Sequence, residues 1–241
     1  MRLYGFSTGA LALGDFARAY HMLRTIPTEV IELSALRPHE LVPLMKFAEE
    51  ADLSRYSFIS VHAPTGFAPS EEDDIARGLR MFAERGWPIV LHPDAIHRIA
   101  PWKQFGSLLY IENMDKRKPI GRTTAELTTV FDKLPEALLC FDIAHARQCD
   151  TSMTEAFRIL RDHGQRIREV HISEVNTSSK HDRISPTAVH AYQEVADLIS
   201  PDVPVILETP VNERQMLEQL KLASAALSTP KQVQQSPGSV F

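Results

Sequence analysis

Leu138-Leu139-Cys140-Phe141-Asp142-Ile143-Ala144-His145 decides how the rest of the chain is read. The unbroken run from Leu138 to Phe141 suits a strand buried on both faces, as parallel strands covered by helices are. It ends in Asp142, with His145 three residues further on. An ionised carboxylate at a buried strand end needs a cation, a network of donors or water. A helix cap is the plain reading of Asp142, and the nearby imidazole makes a divalent metal the sharper one.

The same grammar, an apolar run ending in a ligand-type residue, recurs on both sides. Leu3–Ser7 reads as a first strand with a helix from Asp15 to Arg24, and Thr28–Leu33 as a second, with Pro38 opening a helix to Glu50. Tyr56–His62 is a third, followed by a helix from Ser70 to Arg85 with Gly86 as its stop. Pro88–His92 and Ser107–Glu112 are the fourth and fifth, the latter followed by a helix from Thr124 to Lys133. After the opening stretch come a helix from Ser152 to His163, a seventh strand at Arg168–Ile172 and a helix from Ser185 to Ile199. Pro204–Glu208 is the eighth, and Asn212–Ala226 the last helix. Eight strand-helix units predict an α/β fold, a single-domain (β/α)8 TIM barrel over residues 1–227. A doubly wound sheet is the alternative, but no Gly-x-Gly-x-x-Gly follows any strand. Residues 228–241, rich in Gln, Ser and Pro, have no apolar period and are expected to form a disordered tail.

Composition narrows the setting. With 44% hydrophobic residues the chain can bury a large core, and its two cysteines, Cys140 and Cys149, show no metal or redox spacing. A reduced, cytoplasmic setting is expected. Ser7-Thr8-Gly9 interrupts the first apolar segment, which favours a strand over a secretory signal, and no apolar stretch is long enough to span a membrane. The formal charge of −5 gives no basic field for DNA, which is not expected as a partner. Each bound divalent ion adds two charges, so two ions bring the total to −1 and three to +1. An anionic small-molecule substrate therefore stays compatible with the composition.

In a (β/α)8 barrel the active site lies at the C-terminal strand ends. A census of those positions gives Glu32, His62, His92, Glu112, Asp142, His171 and Glu208. His145 and His181 fall in the loops just after strands, while His21, His39, His97, His163 and His190 are read as surface or capping residues on helices. A single strand-end His is usually a satisfied polar group. Seven ligand-type residues on seven consecutive strands would crowd like charges without cations, which points to metal. Imidazole mixed with carboxylate, without paired thiolates, suits zinc first and then Mn, Fe or Co, in a catalytic site of two or three ions.

Val90-Leu91-His92-Pro93, Ile111-Glu112-Asn113, Phe141-Asp142-Ile143-Ala144-His145, Val170-His171-Ile172, Asp182-Arg183 and Ile206-Leu207-Glu208-Thr209 resemble the motifs of the xylose isomerase-like barrels, and more closely those of the endonuclease IV branch. The resemblance implies that Glu112 bridges two metals, with His62 and His92 completing one site and Asp142, His171 and Glu208 the other. It implies a third site from His145 and Asp182. There the chain departs from the pattern, because Ile184 stands where that branch has a histidine; His181 is the substitute ligand.

Glu32 is more typical of the sugar isomerase and epimerase members of the same superfamily. By that resemblance Glu112 and Glu208 would exchange a substrate proton around one ion, although Lys118 occupies a position where those enzymes carry an acid. Lys116, Arg117, Lys118, Arg122, Arg147, Lys180 and Arg183 follow strands five to seven and read either as a solvated rim or as an anion-binding one. The expectation is a metal-dependent hydrolase acting on a small phosphorylated or otherwise anionic substrate, possibly sugar-containing. Glu112 and Glu208 are its catalytic residues, and Glu32, Lys180 and Arg183 its substrate-binding ones. A one-ion isomerase or epimerase is the alternative, and a non-catalytic binding barrel the third.

Overall fold

The computed structural model describes residues 2–228. Its strands in chain order are β1 (Tyr4–Ser7), β2 (Val30–Ser34), β3 (Phe58–His62), β4 (Ile89–Leu91), β5 (Leu109–Glu112), β6 (Leu138–Asp142), β7 (Ile167–Ile172), a hairpin of β8 (Glu174–Val175) and β9 (His181–Asp182), and β10 (Val205–Leu207). All but the hairpin form one closed parallel barrel in the order β1-β10-β7-β6-β5-β4-β3-β2. The helices are α1 (Thr8–Ala12) and α2 (Phe16–Leu23) after β1, α3 (Leu41–Glu50) after β2, α4 (Glu72–Ala83) after β3 and α5 (Ala100–Lys103) after β4. α6 (Thr124–Lys133) follows β5, α7 (Ile143–Cys149) and α8 (Thr154–His163) follow β6, α9 (Pro186–Gln193) follows the hairpin, and α10 (Glu213–Ala226) follows β10. The fold is a (β/α)8 barrel. The expected tail lies outside the described residues except for Ser228, whose hydroxyl donates to the Ser224 carbonyl.

Alternation along each strand divides the barrel into two faces. Outward residues such as Ile31, Leu33, Val61, Leu91, Ile111, Leu139, Phe141, Val170, Ile172 and Leu207 are buried in one apolar cluster with helix residues including Leu44, Leu79, Leu127, Ile159 and Met216. That layer holds the helices on. At the N-terminal end of the barrel the inward residues are also apolar, with Val90, Tyr110 and Cys140 packed against Phe58 and Leu138. At the C-terminal end they are polar and buried, namely Glu32, Ser34, Ser60, His62, Glu112, Asp142, Glu169 and His171. Gly5 makes the closure between β1 and β2 possible, since a Cβ there would lie 2.0 Å from the Val30 carbonyl oxygen.

Side chains close the helix ends as the sequence suggests. Asp15, Thr123 and Ser185 cap α2, α6 and α9, and Asn212 forms a capping box with Gln215 at α10. Three elements go beyond the sequence reading: α1, α7 and the β8–β9 hairpin, all at the C-terminal mouth. α1 and α7 start on the residue after a strand, with no polar linker to announce them. His163, expected as a surface or capping residue, is the last residue of α8 and is buried, with its Nε2 3.2 Å from the Thr124 carbonyl and 3.3 Å from the Thr128 hydroxyl.

Candidate metal centre

β6 runs straight into α7, and Asp142 serves both. Its Oδ1 accepts from the His145 backbone N–H at 2.7 Å, capping α7, while its buried Oδ2 has no hydrogen-bond partner. The cap and ligand readings of this residue are therefore compatible. Asn113 clasps the same strand end: its Oδ1 accepts from Asp142 N and its Nδ2 donates to Asp142 O, both at 2.8 Å. The Glu112-Asn113 pair thus ties β5 to β6 at the depth where both present carboxylates.

Glu112 is the centre of the cluster. His62 Nε2 and His92 Nε2 each lie 3.1 Å from its Oε2, and His145 Nδ1 lies 3.2 Å from its Oε1. His171 Nδ1 stands 3.7 Å from Glu112 Oε1 and 3.4 Å from Glu208 Oε2, and His181 Nε2 is 3.6 Å from that same Glu208 oxygen. Four groups of potential ligand atoms result, each within 4.8 Å: His62, His92 and Glu112; Glu112, Asp142, His171 and Glu208; Asp142, His145 and His181; and Cys140, Glu169 and His171. Glu112, Asp142 and His171 each belong to two of them.

Each imidazole also has a nitrogen beside a group outside the cluster. His62 Nδ1 donates to the Ala63 carbonyl at 2.7 Å, and His145 Nδ1 lies 3.0 Å from the Asn113 carbonyl. His181 Nδ1 is 2.8 Å from the Ser173 hydroxyl, and His92 Nδ1 faces Asp94 at 4.0 Å. His171 Nε2 lies 3.1 Å from Glu32 Oε2 and 3.3 Å from Glu169 Oε1, which also accepts from the Ser60 hydroxyl. Fixing one ring nitrogen sets the ring's orientation and leaves the other for an ion.

Burial and the mutual fields of these groups set how they titrate. Burial disfavours an imidazolium at His62, but the hydrogen bond to Glu112 and the fields of Glu32, Glu112 and Glu208 prevail and raise its pKa to about 9. Burial likewise opposes His145, and Asp142 and Glu112 raise it to about 10. Burial raises Asp142 to about 6 against the pull of His145, with Glu112 and Glu208 adding to the rise. Glu112 and Glu208 are held below the usual carboxylate range: burial works against this, and the surrounding histidines outweigh it. The donor set fits divalent ions. Besides Asp142 Oδ2, the buried cluster-facing atoms His171 Nδ1 and Glu208 Oε2 lack hydrogen-bond partners.

The expected site residues do not all converge. His62, His92, Glu112, Asp142, His145, His171 and Glu208 share the centre, and His181 joins them. Asp182 does not: it is exposed, and its Oδ1 accepts from the Arg183 N–H. Successive side chains on β9 point to opposite sides, so an inward His181 turns Asp182 out. Ile184 is buried, with its N–H donating to Gln219, and plays no part. Glu32, expected to bind substrate, is fully buried beside His171, with its Oε2 3.1 Å from His171 Nε2. Lys180 and Arg183 are exposed, and neither lines the cleft over the cluster. Glu169, absent from the sequence census, is a full member of the layer beneath; its position two residues before His171 was the signal.

No family model and no curated protein matches the chain. Among solved structures, endonuclease IV from Thermus thermophilus superposes with a TM-score of 0.63 at 20% identity, over 93% of this chain and 98% of that one. L-ribulose 3-epimerase gives 0.58 at 13% identity, over 94% and 91%. The chain shares the (β/α)8 barrel fold of these structures. A 3-keto-D-glucoside 4-epimerase from E. coli gives 0.58 at 13% identity, over 93% and 100%, so an endonuclease and two epimerases share this architecture. Among the described residues no helix is long and apolar enough to cross a membrane.

Proposed function

We propose that this chain is a divalent-metal-dependent hydrolase with room for three ions, acting on a small anionic substrate. The observation that carries this reading is the set of three overlapping ligand groups joined through Glu112 and Asp142. Zinc suits their nitrogen and oxygen donors, and Mn, Fe and Co accept the same set. When bound, such ions acidify a water and offset the negative charge that develops on an attacked ester. The protein's own residues hold the frame. Glu112 and Glu208 stay ionised at neutral pH, Asp142 offers its unpartnered oxygen, and Glu32 and Glu169 hold His171 from below.

A one-ion isomerase or epimerase, with Glu112 and Glu208 exchanging a substrate proton, draws support from the group of Glu112, Asp142, His171 and Glu208. It is the second reading for a physical reason. Glu112 has imidazoles on both oxygens and a depressed pKa, which makes it a poor base for a carbon acid. Duplex DNA is disfavoured by the overall charge and by the pairing of the basic rim: Lys118 with Asp94, Arg122 with Glu126 and Arg147 with Glu174. Elemental analysis of protein purified without chelator, followed by assays on phosphomonoesters, phosphodiesters and sugar phosphates, tests the proposal. Two or three ions with ester cleavage support it. One ion with epimerisation and no cleavage overturns it.

A further inference from the structure

The mouth above the cluster has two unlike sides. Loops after β5, β6 and β7 carry the charged residues, whereas the arc formed by the ends of β10, β1 and β2, adjacent in the barrel, is apolar. Ala10 and Leu13 from the α1 region, Leu36 after β2 and Pro210 after β10 line a cleft of about 270 Å³ whose floor includes His62, His92, Glu112, His181 and Glu208; Ser7 and Thr65 also line it, with their hydroxyls already paired to Ser34 Oγ and the Leu36 carbonyl. No lysine or arginine lines it. This volume is on the scale of a small molecule.

The apolar arc is built rather than incidental. A Cβ on Gly9 would lie 2.9 Å from the Ser34 Cβ and 3.1 Å from Leu36, so glycine lets α1 press against the end of β2 and brings Ala10 and Leu13 to the lip. Leu13 is 58% exposed and has φ of 53° and ψ of −129°, a backbone region that glycine favours. An L-residue persists there only where its surroundings impose it. The chain thus holds a large apolar side chain in solvent, in a strained conformation, at the edge of a buried ionic cluster.

We infer that this arc is a specificity wall, and that the substrate carries an aliphatic or similarly apolar group next to its anionic head. The inference deepens the hydrolase reading and rests on it. Two or more divalent ions exceed in charge the carboxylates of Glu112, Asp142 and Glu208 that hold them, so an anionic head needs no lysine or arginine. The rest of the molecule meets Ala10, Leu13, Leu36 and Pro210, where a hydroxylated or second charged group would lose water without gaining a partner.

The test is calorimetric binding of inorganic phosphate, methylphosphonate, propylphosphonate and n-butylphosphonate to zinc-loaded protein. Each methylene buried against the wall is expected to tighten binding about fourfold, the equivalent of about 0.8 kcal/mol per CH₂. Leu13→Gly relieves the backbone strain, so the chain stays folded, and it should lower the ratio of butylphosphonate to methylphosphonate affinity. Leu13→Lys should move preference toward inorganic phosphate. Equal affinities along the series, or a chain-length gain untouched in Leu13→Gly, would overturn the inference while leaving the hydrolase reading in place. Failure of the wild-type protein to retain zinc on elemental analysis would overturn that reading and the inference with it.

Discussion

The two ends of the barrel interior use the same backbone for opposite purposes. At the N-terminal end, Phe58, Val90, Tyr110, Leu138 and Cys140 fill the space with apolar volume. Two residues beyond Phe58, Val90, Tyr110 and Cys140, the inward positions become Ser60, His92, Glu112 and Asp142, with Glu169 and His171 on β7. A packed interior needs only the first kind of filling. Burying carboxylates and imidazoles together in the second costs stability unless cations or protons offset the charge. One end therefore bears the fold and the other the candidate metal centre, and substitutions at the two ends should separate stability from metal binding.

The largest effect is expected from Asp142→Asn. The amide still accepts from His145 N and caps α7, but the charge shared by two ligand groups is gone. Activity should fall by at least about a thousandfold with circular dichroism unchanged; wild-type activity with undiminished metal content would show that Asp142 is only a cap. Tyr110→Ala should do the reverse, lowering stability by about 3–5 kcal/mol through the cavity left in the lower layer. Metal stoichiometry of the folded fraction should not change. Urea denaturation together with elemental analysis checks both halves of that statement.

Smaller effects sharpen the boundary between the two ends. Removing the imidazole in His181→Ala leaves Asp142 and His145 as two ligands, too few for tight zinc binding. Titration of metal-free protein should count one fewer tight ion than in wild type; an equal count would mean that the third group is not an ion site. Glu169→Gln, beneath His171, should weaken metal affinity about tenfold, within the range for residues that orient a ligand. Chelator-competition assays measure it.

The pH dependence of the metal-free protein has a definite sign. His62 and His145 are raised from 6.5 to about 9 and about 10, so they stabilise the fold fully below pH about 6.5. That contribution is lost as pH rises through about 9 and about 10. The urea midpoint in chelator should therefore drop between about pH 7 and about pH 10, and restoring zinc, which needs the deprotonated rings, should remove most of the drop. A midpoint that rises with pH in chelator would contradict the charge assignment.

The barrel was legible because each strand is a short apolar run stopped by a polar residue, and most candidate ligands because they are those stopping residues, His145 and His181 lying in the segments just after. What escaped the sequence follows from geometry at finer grain. Glu169 sits inside β7 between Arg168 and Val170, so only the two-residue period from His171 marks it as inward. The choice between His181 and Asp182 turns on the phase of a two-residue strand. Whether the basic rim binds anions depended on acids distant in the chain, such as Glu174 for Arg147. The depth of Glu32 is set by register: it pairs with Ser60, while Ser34 pairs with His62.

The cap made by Asp142 has one more implication, for the portability of the arrangement. The bond from His145 N to Asp142 Oδ1 is what fixes the first turn of α7, and that turn is what delivers the His145 ring three residues on. Helix initiation and ligand placement are thus one device specified by two residues, Asp-x-x-His, with the spacing dictated by the cap. Any parallel strand that ends in aspartate and passes directly into a helix could receive the same pair by grafting. Half of a metal site would then come with the start of the helix, without redesign of the surrounding barrel.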